Sequence, residues 1–295
     1  MPPRALPRVG YLGPEGTFSE EALLASAASG AVEPVPLATI YDAVVRLRQG
    51  ELEWAIVPIE NSLDGSVSVT LDLLAQEHSA LQIVAEALLR IRHSLIATEH
   101  VELREIETVL SHPQVPGQCE RFLRSELAHA RIMPASSTAE AVRVIVEQRV
   151  RSQAALGTSL AATIYGGTVL REDVQDSEDN ETRFVWLARA EQREEPPLDA
   201  AAGGEWRTSL VFWGPGTERA GWLVRCLDQF ARRGINMTKI ESRPRRRGLG
   251  SYVFFADLAG HAQEASIGEA LAGLRSMCEQ VRVLGSYRAA SEPPR

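Results

Sequence analysis

Lysine is almost missing: of the 31 basic residues in this 295-residue chain, Lys239 alone is lysine. We read the skew as a compositional bias of the source genome. It excludes a Schiff-base lysine from everything before position 239. Cysteine is scarce as well. Cys119, Cys226 and Cys278 are odd in number and far apart along the chain. They suggest neither a disulfide framework nor a metal site, and they fit a reducing compartment. No apolar run reaches the roughly 18 residues of a membrane span. The first eight residues, Met-Pro-Pro-Arg-Ala-Leu-Pro-Arg, lack the apolar stretch of a signal peptide. A cytoplasmic protein is therefore expected. Excess positive charge is also lacking: a net charge of −8 argues against nucleic acid as the main partner. A small anionic ligand stays open, because local dipoles can override a weak global field. There is no Gly-x-Ser-x-Gly elbow, no phosphate-binding P-loop and no Gly-x-Gly-x-x-Gly fingerprint. His93 and His112 have no metal-ligand partner at useful spacing, so no zinc site is expected. Cys119 has no base beside it and reads as a buried helix cysteine. The arginines at 245–247 read as a solvated loop.

What is present suits two domains. The length allows it, and 44% hydrophobic residues can fill real cores. Residues 8–190 alternate strand-like and helix-like stretches. Strands are expected over 8–12, 35–37, 54–59, 108–111, 131–134, 154–156 and 183–188, and helices over 19–29, 40–48, 67–76, 117–127, 138–148 and 160–165. Residues 81–97 read as mostly strand with a crossing inside. This predicts an α/β domain with mostly parallel sheets, in two lobes. Residues 191–205 are polar, with paired prolines and paired glycines, and read as a linker. Residues 206–288 then follow a βαββαβ order, a ferredoxin-like plan, with Gly234 as a left-handed helix cap. Residues 289–295 read as a polar tail.

Several strands of the first domain end in small polar residues that open helices. Gly13-Pro14-Glu15-Gly16-Thr17 follows the first strand, and Thr17 with Glu20 makes a capping box. Ser137 with Glu140 makes a second. Thr158-Ser159 and Ser111-His112-Pro113 close two further strands. Helix N-termini offer unpaired N–H groups and a positive dipole end. In open α/β sheets such ends converge on one cleft, so a small, polar, anionic ligand is indicated. The bland alternative is ordinary capping. Pro58-Ile59-Glu60-Asn61-Ser62 runs from a buried strand straight into a carboxylate, an amide and a hydroxyl. Asn180-Glu181-Thr182-Arg183-Phe184 places a hydroxyl and a guanidinium just before the last strand; arginine suits a carboxylate partner.

These segments resemble the motifs of prephenate dehydratases. The run from Gly10 to Ser19 is similar to that family's opening motif, and the run from Val57 to Ser62 to its central one. Ser111-His112-Pro113 with Gln118-Cys119, Gly157–Ala162, and Thr182-Arg183-Phe184 match the rest, in family order. The second domain resembles an ACT domain, with Glu241-Ser242-Arg243-Pro244 as signature. The resemblance implies a two-lobed fold like that of periplasmic binding proteins, with the active site between the lobes. It implies conversion of prephenate to phenylpyruvate, water and carbon dioxide without metal or cofactor. Thr182 would hydrogen-bond the departing hydroxyl, with Asn61 and Gln118 as its catalytic companions. Thr17, Glu60, Ser62, Ser111, Ser159, Arg183 and Phe184 would contact substrate.

The resemblance further implies phenylalanine as effector, bound between ACT domains of a dimer or tetramer through Gly221, Trp222, Leu223, Asn236, Glu241, Ser242 and Arg243. One departure stands out. The family's ACT helix opens with Gly-Ala-Leu-Val, whereas this chain has Gly221-Trp222-Leu223-Val224. A tryptophan there would fill, reshape or strengthen an aromatic-ligand pocket. Rival readings are an arogenate dehydratase with the same elimination, a non-catalytic amino-acid sensor, and a fusion to chorismate mutase. The last needs a helical unit that the sequence before Gly10 does not suggest.

Overall fold

The computed structural model describes residues 5–76, 80–199, 204–215, 220–245 and 250–290. The first stretch forms β1 (Arg8–Leu12), α1 (Phe18–Ser26), β2 (Glu33–Leu37), α2 (Ile40–Arg48), β3 (Trp54–Asn61), β4 (Gly65–Ser66), α3 (Ser68–Ala75) and β5 (Leu81–Arg90). The chain then crosses to a second lobe. That lobe contains β6 (Ser94–Ala97), β7 (Thr108–Ser111), α4 (Val115–Gln118), α5 (Glu120–Glu126), β8 (Arg131–Pro134), α6 (Thr138–Gln148), β9 (Gln153–Gly157), α7 (Ser159–Tyr165) and β10 (Thr168–Arg171). It returns as β11 (Glu181–Arg189), which enters the first sheet.

The first sheet has the order β2-β1-β3-β11-β5, with β4 paired to β3. β1, β2 and β3 are parallel, and β11 is antiparallel to both its neighbours. The second sheet has the order β10-β6-β9-β7-β8. The two crossings run side by side. Ile91 N–H donates to Asn180 O at 2.7 Å, and Val174 N–H donates to His93 O at 2.9 Å. Among the described residues these two segments are the covalent ties between the lobes, and Ile91, His93 and Asn180 floor the cleft between them. The crossing expected within 81–97 lies between β5 and β6. The helix expected over 117–127 is instead two, broken at Cys119. β4 and β10 were not anticipated; β4, at two residues, is too short to show alternation. Each capping box is half formed. Thr17 and Ser137 cap their helices, but Glu20 turns to Gly16 N–H, and Glu140 pairs with Arg143.

The C-terminal domain comprises β12 (Trp206–Trp213), α8 (Trp222–Ala231), β13 (Met237–Pro244), β14 (Tyr252–Ala259), α9 (Ala265–Arg275) and β15 (Gln280–Arg288). Its antiparallel sheet has the order β13-β14-β12-β15. Side chains alternate across it, as strand geometry requires. Leu210 and Phe212 face the helices, where Trp222, Cys226, Phe230 and Leu271 are buried. Val211 and Trp213 face the first lobe and share one core with Leu73, Ile83 and Leu187. Strand β15 lies so close to β5 that a β-carbon on Gly285 would collide with the Ile83 carbonyl. In the 191–205 stretch, Pro197 O and Asp199 N–H bond the end of α1. Residues 291–295, 246 and 247 lie outside the described set. Arg245 is not simply solvated: it pairs with Glu279 at 2.9 Å and lies over the Trp213 ring. Cys226 and Cys278, distant in sequence, place their sulfurs 3.9 Å apart as free thiols. No helix among the described residues is long and apolar enough to cross a membrane.

Candidate active site

Strands β3 and β11 deliver the polar residues to the cleft, and a bulge decides which ones arrive. Thr182 pairs with Asn61 and Arg183 with Glu60, but Phe184 pairs with Pro58, leaving Ile59 unmatched. An extra residue on one strand re-aims everything beyond it. Ile59 and Glu60 therefore both face the C-terminal domain, and Asn61 turns to the cleft beside Thr182. Strand β11 alternates regularly: Thr182 and Phe184 line the cleft, and Arg183 points away.

The orientation of Asn61 is set by backbone. Its Oδ1 accepts from Leu63 N–H and Asp64 N–H, each at 2.9 Å. Its Nδ2 must then face the other way, where it donates to Thr182 Oγ1 at 2.9 Å and Asn180 Oδ1 at 2.8 Å. With Oδ1 occupied, Asn180 donates through Nδ2 to Gln118 Oε1 at 3.1 Å. His93 Nε2 meets the same oxygen at 3.0 Å, so it carries the proton. Each amide is oriented by the one before, and the chain spans both lobes. His93 is 1% exposed and edge-stacked on Phe18. Burial lowers its pKa and holds it neutral, although the Gln118 contact acts in the opposite direction.

A cavity of about 500 Å³ lies over this chain. The first turn of α1, at Thr17, Phe18 and Ser19, forms one wall; Ser136, Ser137 and Thr138, at the start of α6, form the opposite one. Two helix N-termini thus face the same space, a setting that favours an anion. Among the described lining residues none is lysine or arginine. Among the described residues no cluster of His, Cys, Asp or Glu is suited to a metal ion.

Of the residues singled out from sequence, Thr182, Asn61, Gln118, Thr17 and Phe184 line this cavity together. Five others do not. Arg183 is 7% exposed and forms an ion pair with Asp257 at 2.7 Å, because strand alternation turns it from the cleft. Glu60 faces Lys239 at 3.1 Å, because of the bulge. Ser62 ties down the neighbouring crossing through Asp179 O and Glu181 N–H. Ser111 bonds the carbonyl of His112, and Ser159 meets Ser94 behind the cleft wall. The helix end at Ser159 does not border the cavity; that of α6 does. His93, Asn180 and Phe18 were missed. Asn180 stood two residues from Thr182 in sequence. Nothing local marked His93, whose partners lie on α4 of the second lobe and α1 of the first.

In the C-terminal domain, Gly221, Asn236 and Ser242 are exposed and Leu223 is half-buried. Trp222 is a core residue, 4% exposed, packed on Phe212 and Phe254, with Nε1 donating to Met277 O at 2.8 Å. It fills the domain interior rather than lining an open pocket. Glu241 accepts from Ser66 at 3.3 Å, and Arg243 pairs with Asp72 through two 3.1 Å contacts. Strand alternation turns both toward the first lobe, away from the exposed Ser242.

A family model described as prephenate dehydratase matches residues 9–192. The prephenate dehydratase of Mycolicibacterium vanbaalenii is 38% identical, over 96% of this chain and 91% of that protein. The crystal structure of prephenate dehydratase in complex with L-Phe from Arthrobacter aurescens is 37% identical, with a TM-score of 0.84, over 98% of this chain and 92% of that one. A structure described as GqqA, a novel type of quorum quenching acylase, is 27% identical, also at 0.84, over 96% and 98%.

Proposed function

The chain belongs to the prephenate dehydratase family, and we propose that its cleft works through the Thr182 hydroxyl, aimed by Asn61. The reaction turns prephenate into phenylpyruvate, water and carbon dioxide. The bond to the ring carboxylate breaks, and its electron pair enters the ring. The ring C–O bond then breaks, and the departing hydroxide takes up a proton to become water. Gain of aromaticity drives both losses.

The orientation of the Asn61 amide carries this reading. Because Nδ2 donates to Thr182 Oγ1, the threonine proton is not used in that bond and can be given to the cleft. There it supports the oxygen as it gains negative charge, which is where a placed donor is most effective. The amides of Asn61, Asn180 and Gln118 do not pass protons readily, and an alcohol is a weak acid. Thr182 therefore acts as a donor and positioner, and the proton that completes water comes from solvent. The substrate's side-chain carboxylate meets the helix ends at Thr17 and Ser137. Its ring carboxylate loses charge in the transition state, so a salt bridge there would favour the ground state. A lining without lysine or arginine, beside a neutral His93, fits that need.

The C-terminal domain is read as a phenylalanine sensor that biases lobe closure, with its site completed between two copies in a dimer or tetramer. The exposed Gly221, Asn236 and Ser242 are available to such a site. Coupling of this kind is typically about 1–3 kcal/mol, or 5–150-fold in affinity.

Purified protein supplied with prephenate, and separately with arogenate, tests the assignment. Faster turnover of prephenate to phenylpyruvate supports it. Faster turnover of arogenate transfers the mechanism to that substrate. Inertness toward both leaves a binding protein and overturns the reading.

A further inference from the structure

We propose that two residues of the C-terminal sheet, Asp257 and Lys239, are positioning residues for Thr182 and Asn61. This rests on the reading of Thr182 and Asn61 given above.

Three adjacent strands of the first sheet, β3, β11 and β5, each present one charged residue to the C-terminal sheet. Three adjacent strands of that sheet, β13, β14 and β12, answer in the same order with the opposite charge. Glu60 of β3 meets Lys239 of β13 at 3.1 Å. Arg183 of β11 meets Asp257 of β14 at 2.7 Å. Glu86 of β5 meets Arg207 of β12, with both carboxylate oxygens at 2.7 Å. Arg183 sits in the middle, 3.5 Å from Glu60 and 3.6 Å from Glu86. The charges balance, as burial demands. Removing a partner of the buried Arg183, Asp257 or Glu86 leaves an uncompensated ion in a low-dielectric layer, whereas Glu60 stays partly exposed to solvent.

The order of these pairs bears on catalysis because of chain neighbours. Glu60 precedes Asn61, and Arg183 follows Thr182. Both reactive side chains are thus one residue from a clamp that reaches into the other domain. Asp257 is itself held by Ser209, whose Oγ donates to Oδ1 at 2.6 Å and also meets Tyr287 Oη at 2.7 Å. Lys239 donates in addition to Ser66 Oγ at 3.0 Å, and Ser66 borders the cavity. The third pair is different. Glu86 lies between Ala85 and Ala87, with no catalytic neighbour. It is a control supplied by the fold.

The test compares Asp257→Asn, Lys239→Gln and Arg207→Gln in the full chain, with kcat, KM and thermal midpoint measured for each. All three should lose stability. A displacement of about 1 Å at a reacting group costs up to about 100-fold, so Asp257→Asn and Lys239→Gln should lower kcat by about 10–100-fold, with KM held within about 3-fold. Arg207→Gln should leave kcat within about 3-fold of the parent, since it displaces no reacting group. Asp257→Glu should recover much of the rate. In a cycle with Thr182→Val, Asp257→Asn should have little further effect, because the group it positions is gone. Equal kcat losses for Asp257→Asn and Arg207→Gln, or additive losses in the cycle, would overturn the proposal and leave a purely structural clamp. If Asp257→Asn does not fold, Lys239→Gln against Arg207→Gln gives the same decision. A Thr182→Val enzyme with nearly full activity would overturn both this proposal and the reading of the site. Loss of activity in Thr182→Val with unchanged kcat in Asp257→Asn and Lys239→Gln would overturn this proposal alone.

Discussion

Asn61 and Thr182 stand opposite each other on paired strands, with Asn61 Nδ2 donating to Thr182 Oγ1 across 2.9 Å. The backbone N–H groups of Leu63 and Asp64 hold the other end of the amide. Asn61→Asp keeps that half of the arrangement and replaces only the donor. Thr182 would then give its proton to the new carboxylate instead of the substrate. We expect kcat to fall by about 10²–10³, the usual consequence of losing one placed donor, with folding preserved. Steady-state kinetics with circular dichroism check this; a loss under about 3-fold would mean that the threonine proton is not what matters.

Glu21 gives a pH prediction. It is half-buried on α1, and desolvation raises its pKa from 4.5 to about 7. A carboxyl with a raised folded pKa is stabilising below its unfolded value. That contribution is lost as pH rises from about 4.5 through about 7. Glu21→Gln should therefore match the parent near pH 4.5 and exceed it at pH 8, by an amount on the order of 1–3 kcal/mol. Thermal midpoints across this range decide it. A gap that shrinks with rising pH would contradict the sign.

Gly285 sits where β15 crosses β5, with no room for a β-carbon below the Ile83 carbonyl. Gly285→Ala forces the two strands apart at the domain contact. Overpacking of this kind costs about 1–3 kcal/mol, so the urea midpoint should fall. An unchanged midpoint would mean that the domains separate freely there.

Much of this was legible from the sequence, and the failures have specific causes. The strand ends, the Thr17 and Ser137 caps and the βαββαβ order follow from local chemistry. Asn61 and Thr182, both singled out in the sequence, line the cleft. Glu60 and Arg183 do not, because their placement depends on a bulge and on a partner sheet. Asp257 lies 74 positions from Arg183, a separation no local pattern reports. His93 looked bland for the same reason: Phe18 and Gln118 are distant in the chain. Trp222 is expected from the sequence to fill, reshape or strengthen an aromatic-ligand pocket; its Met277 partner and the Phe212 and Phe254 rings place it in the domain core, contacts that lie far along the chain. The lysine scarcity reads as compositional bias and says nothing of Lys239, which pairs with Glu60 across the domain contact.

The most direct measurement is the turnover of prephenate by Thr182→Val, which keeps the side chain's shape and removes its hydroxyl. The account predicts a fall in kcat of about 10²–10⁴, with a thermal midpoint close to the parent's. Turnover within about 3-fold of the parent would contradict it and move the departing hydroxyl to another donor in the cleft.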